Sequence, residues 1–180
     1  SINNTIKMFG KKKIKKIFFS STTYPKKYFD FIIFRNLLEH IYDLNGFLYN
    51  VNQSLKNNGK IFIDVPNLKE IIKLGGFGLF FHEHISYFSL ETLRRLLSNN
   101  GFKVNKSFEG NPNLFVEAVK VSKNKVLNSN FVKIKKIKNT LKKNSKIIKR
   151  KILFYFKQKN INRIILFGAS ALSTALISML

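Results

Sequence analysis

The chain has no cysteine, which removes disulfides, thiolate metal sites and cysteine nucleophiles together. Carboxylates are scarce as well: nine Asp and Glu stand against 33 Lys and Arg, for a formal net charge of +24 over 180 residues. A secretory signal pattern is also missing from the N-terminus, so an intracellular, cytoplasmic location is the expectation. The first residue is Ser rather than Met, and the chain is read as a fragment whose start lies upstream.

What is present fits a globular α/β protein, with 44% hydrophobic residues to build a core. The positive charge is mostly Lys and comes with abundant Asn, Ile and Phe, the combination that AT-rich coding produces. Aromatic residues fall mainly in strand-like runs, so the interleaved aromatic and basic surface of a single-strand nucleic-acid binder is not evident.

Residues 1–9 read as the tail of a helix, and residues 14–19 as a strand. The run Tyr28-Phe29-Asp30-Phe31-Ile32-Ile33-Phe34 is apolar after Asp30 and suits a parallel strand covered on both faces. Leu44, Phe47, Leu48, Val51 and Leu55 recur at helical spacing, with Asn57-Asn58-Gly59 as the stop. Residues 60–65 form a second strand closed by Pro66, completing a βαβ unit.

Residues 67–88, with Gly75, Gly76 and Gly78, predict a mobile loop over the sheet edge. Ser89 is placed to cap a helix carrying Leu90, Leu93, Leu96 and Leu97, with Glu91 in the first turn and Gly101 at its end. Residues 102–108 and 114–121 predict an antiparallel hairpin. A basic helix follows, with Ile134, Ile137, Leu141, Ile148 and Ile152 on one face. Residues 164–172 then read as a strand, a small-residue turn at Gly168-Ala169-Ser170, and the start of a helix.

Chemistry is densest at Phe81-His82-Glu83-His84-Ile85-Ser86-Tyr87, which holds two of the three histidines. Histidine suits general-base work because its pKa lies near neutrality, and an adjacent carboxylate can orient the ring and stabilise its charged form. A metal held by His82 and His84 lacks a further ligand cluster in the sequence, so none is expected.

Phe29-Asp30-Phe31-Ile32-Ile33, Leu38-Glu39-His40-Ile41, residues 55–59 and Ile61-Phe62-Ile63-Asp64-Val65-Pro66-Asn67 together resemble the second half of a class I S-adenosylmethionine-dependent methyltransferase. Glu83-His84 leading into Tyr87-Phe88-Ser89 looks like the sugar C-methyltransferases that act on nucleotide-linked keto sugars. The resemblance covers roughly residues 1–121 and implies three parts: a partial methyltransferase domain of Rossmann-like fold (1–121), a basic helical connector (122–160), and the start of a second Rossmann-like domain (161–180). The family's glycine-rich cofactor turn, its ribose-binding acidic residue and its cysteine-bound zinc domain have no counterpart here.

The resemblance implies S-adenosylmethionine as cofactor and a nucleotide-linked sugar as substrate. It places His84 as the base, Glu83 beside it and His40 facing the same pocket. Asn36, Arg35 and Phe19 are implied on the cofactor side. Phe81, where the family more often has tyrosine, and Tyr87 are implied on the substrate side. Three other readings stand beside this one: a polyanion-binding module using Lys133, Lys135, Lys136, Lys138, Lys142 and Lys143; a short membrane anchor at residues 164–180; and a remnant without activity. Nucleic acid and membrane are not expected as partners, and the sequence does not fix the oligomeric state.

Overall fold

A computed structural model describes residues 24–75, 80, 83–110, 112–122, 134–161 and 163. The expected helix at 1–9, the strand at 14–19 with Phe19, the substrate-side Phe81, His82, and the second Rossmann-like unit with its small-residue turn lie outside the described residues. So does the proposed anchor at 164–180. Among the described residues, no helix is long and apolar enough to cross a membrane.

Four strands form one sheet. β1 (Phe29–Arg35) runs parallel to β2 (Leu55–Pro66), and the hairpin β3 (Phe102–Glu109) and β4 (Asn113–Lys120) completes the order β1-β2-β4-β3. β4 lies antiparallel to both β2 and β3. Period-two patterning fixes the register. Ile61, Ile63 and Val65 sit opposite Ala118, Val116 and Leu114, and all six are fully buried on one face.

Two helices cover that face. α1 (Leu44–Ser54) brings Leu48 and Val51, and α3 (Leu90–Asn99) brings Leu93 and Leu97, each with no exposed surface. Asp43 caps α1 by accepting from the Gly46 N–H at 2.9 Å. Ser89 and Thr92 form a reciprocal capping box on α3. Gly101, at φ +87°, turns the chain out of α3 into β3. Lys120 on β4 donates to the carbonyls of Asn52 and Leu55, tying the end of α1 to the sheet.

Three expectations are corrected. Leu55 opens β2 rather than ending α1: its backbone is extended, yet its side chain stays in the core that the helical spacing had pointed to. β1 is not covered on both faces, because Phe31 and Ile33 remain exposed. Residues 67–88 are not simply a loop. Asn67, itself buried, accepts from the Lys69 N–H at 3.0 Å and starts α2 (Leu68–Lys73), which buries Ile71. Phe88 then bridges back to Asn67 and is buried.

The basic helix is present as α4 (Ile134–Gln158). It packs on α2, where Asn144 Nδ2 donates to the Ile72 carbonyl at 2.8 Å. Gly75 permits this approach: it has φ +71°, and a Cβ there would lie 2.7 Å from the Ser145 nitrogen. Lys138, Lys142 and Lys143 are exposed, a solvated face.

Replacing Leu97 by Ala removes a fully buried side chain at the junction of α3 and the sheet. It should lower unfolding stability by about 2–5 kcal/mol, read as a lower denaturant midpoint with little change in slope.

Candidate active site

In open α/β sheets, ligands bind outside the carboxyl ends of parallel strands. At that end of β1 and β2, Asp64 is nearly fully buried. Its Oδ1 accepts from Asn113 Nδ2 at 2.6 Å and its Oδ2 from Arg35 Nε at 2.9 Å. The Asn36 N–H donates to the Asp64 carbonyl at 2.9 Å, and Asn36 takes a left-handed conformation at φ +46°. Asn tolerates that region better than most residues, so the chain turns sharply off β1 with Arg35 and Asn36 left exposed at the rim.

A 3-10 turn, Leu38–His40, follows directly. Leu38 anchors it with no exposed surface. The Glu39 carbonyl accepts from the Ile85 N–H at 2.8 Å and the Ser86 N–H at 3.1 Å, which holds the histidine loop against the turn. His40 Nδ1 lies 2.9 Å from the Glu83 carbonyl. A carbonyl only accepts, so Nδ1 carries a hydrogen.

These contacts bring three functional groups together. Glu39, His40 and His84 each offer one donor atom, and the three atoms lie within 4.8 Å of one another. The two imidazoles meet edge to face with centroids 4.8 Å apart, and Tyr87 lies 5.8 Å from His84. Tyr87 in turn packs against Phe80 at 4.9 Å. His84 is half-buried, His40 and Glu83 are exposed, and Glu39 is 1% exposed. Nitrogen and carboxylate donors at this spacing are chemically compatible with proton transfer and with a divalent cation.

His40, Glu83, His84 and Tyr87 are thus assembled at one place, while Arg35 and Asn36 stand at the end of β1. Glu39, inside the Leu-Glu-His segment next to His40, joins the cluster although the sequence gives no sign of it. Its partner His84 is 45 positions away, and no local pattern links them.

Burial pushes the His84 pKa below the ordinary value of 6.5; the Glu39 carboxylate opposes this, His40 adds to it, and Glu83 opposes it less than Glu39 does. Between the folded value and 6.5 the unfolded chain therefore binds more protons than the folded one. The His84 contribution to stability is fully present above 6.5 and is lost as pH falls towards the folded value. Denaturant midpoints followed from about pH 7.5 down to about pH 5 should fall less steeply in His84→Asn than in the parent.

The sequence profile of the methyltransferase domain family matches residues 3–107 of this chain. C-methyltransferase NovU of Streptomyces niveus is 40% identical over 70 residues, which are 39% of this chain and 17% of that protein. The chain therefore spans less than a fifth of that relative's length. A putative type 11 methyltransferase from Sulfolobus solfataricus aligns with a TM-score of 0.51 at 17% identity, covering 72% of this chain and 70% of its own. A SAM dependent methyltransferase from Aquifex aeolicus aligns at 0.50 with 17% identity, covering 66% and 61%. At such identities the likeness is one of fold, and it is the Rossmann-like fold of these methyltransferases. With more than half of its length matched by the family profile, the chain belongs to the methyltransferase domain family.

Proposed function

We propose that the protein carrying this chain is an S-adenosylmethionine-dependent C-methyltransferase acting on a nucleotide-linked keto sugar. The observation that carries the reading is the assembly of His84, His40 and Glu39 beside the carboxyl ends of β1 and β2. The 40% identity to a protein named C-methyltransferase supports it.

The residues at the strand ends suit part of the cofactor. The exposed Asn36 amide and the guanidinium N–H groups of Arg35 not engaged with Asp64 offer donors for the carboxylate of its amino-acid end. The left-handed turn at Asn36 opens the backbone at this position. Phe19 is assigned to the adenine side by resemblance. When bound, the cofactor supplies a methyl group made electrophilic by its sulfonium.

His84 takes the proton from the carbon beside the substrate ketone onto an imidazole nitrogen. Its lowered pKa keeps it neutral, and so competent as a base, at pH 7. The Glu83 carbonyl accepts from His40 Nδ1, which orients that ring edge to face with His84. Glu83 meets His40 through its carbonyl, and its carboxylate adds negative charge that favours the protonated form of His84. Tyr87, and Phe81 by resemblance, line the substrate side. Half-burial of His84 limits water around the base, which strengthens each of these electrostatic effects.

His84→Ala should reduce methyl transfer to a nucleotide-linked keto sugar by about 10²–10⁴-fold while calorimetric affinity for S-adenosylmethionine stays unchanged. Turnover equal to the parent's removes His84 from the base role.

A further inference from the structure

We propose that Glu39 is the positioning residue for His84, its buried carboxylate holding the imidazole in place and balancing the charge that the ring acquires with a proton. The role rests on the reading of His84 as the base and adds a residue to that machinery.

Burial of a carboxylate is costly unless a partner compensates it. Glu39 is 1% exposed, and its Oε2 has no hydrogen-bond partner among the described residues. The groups placed to compensate are His40 and His84, whose donor atoms lie within 4.8 Å of the carboxylate. His40 Nδ1 is already committed to the Glu83 carbonyl. Of the two rings, His84 is the one drawn into the interior beside Glu39.

The backbone sets this arrangement. Fully buried Leu38 pins the turn before Glu39, and the Glu39 carbonyl binds the loop just after His84 through the Ile85 and Ser86 N–H groups. One residue thus holds the base loop by its main chain and faces the base with its side chain. An unsatisfied buried oxygen is stabilised as soon as the neighbouring ring gains a proton and a positive charge. Glu83, by contrast, is exposed, so water screens its carboxylate. The groups facing His84 are Glu39 and His40 from the turn and Glu83 and Tyr87 from its own loop.

The test is an NMR titration of the His84 ring in the parent protein, in Glu39→Gln and in Glu83→Gln, with the resonance assigned by its absence in His84→Asn. Glu39→Gln should lower the His84 midpoint by about one pH unit, a tenfold loss of proton affinity. Glu83→Gln should shift it clearly less. An unchanged midpoint in Glu39→Gln, or a larger shift in Glu83→Gln, overturns the assignment. If Glu39→Gln does not fold, the parent labelled with ¹³C at glutamate carboxyls decides: the Glu39 Cδ resonance should move with the His84 midpoint, and a silent resonance overturns the proposal. One equivalent of Zn²⁺ retained after dialysis, with loss of the His84 titration, overturns it too by giving the trio to a cation.

These readouts need no turnover. Coupling of His84 to Glu39 in a protein that transfers no methyl group would sink the functional reading alone. Transfer that depends on His84 without that coupling would sink the Glu39 role alone.

Discussion

β2 is paired on both edges, and the rest of the described structure depends on this. From Phe62 to Asp64 each residue has a parallel partner in β1 and an antiparallel partner in β4. The double pairing satisfies backbone groups that the core would otherwise strand without water. It also sets Ile61, Ile63 and Val65 in one buried row, the surface on which α1 and α3 are seated. A one-residue slip would turn that row to the opposite face.

The same strand pair decides where chemistry can occur. Its parallel half ends with Arg35 and Asn36 on one side and Pro66 and Asn67 on the other. Helices cover the flat face, so the open backbone and the polar loops gather at this end. The histidine loop reaches it because two of its N–H groups find the Glu39 carbonyl and because Phe88 bridges to Asn67. Such loop positions on a rigid scaffold are where function concentrates.

Much of the fold was legible because local forces and tertiary packing agree. Ser89, Glu91 and the leucines of α3 and the hairpin strands each follow from capping, helical spacing or alternation over a few residues, whereas Asn57-Asn58-Gly59 lies within β2 and does not stop α1, which ends at Ser54. The errors arose where distant contacts decide. α2 is short and exists because Asn67 caps it and Ile71 finds a buried place. Leu55 has helical spacing but an extended backbone, since core burial constrains the side chain and leaves the main chain free to begin β2. The apolar run of β1 suggested cover on two faces, yet Phe31 and Ile33 are exposed.

The sequence by itself determined the α/β class, the βαβ unit, the hairpin and the cluster of chemically capable residues around His84, because each is written in short-range pattern or in residue type. Only the tertiary structure decided that Glu39 lies buried beside both histidines while Glu83 stays exposed and meets His40 through its carbonyl. Proximity in the chain put Glu83 next to His84, but burial strengthens an electrostatic partner far more than adjacency does. That burial is a property of how the turn after β1 docks on a loop more than forty residues away.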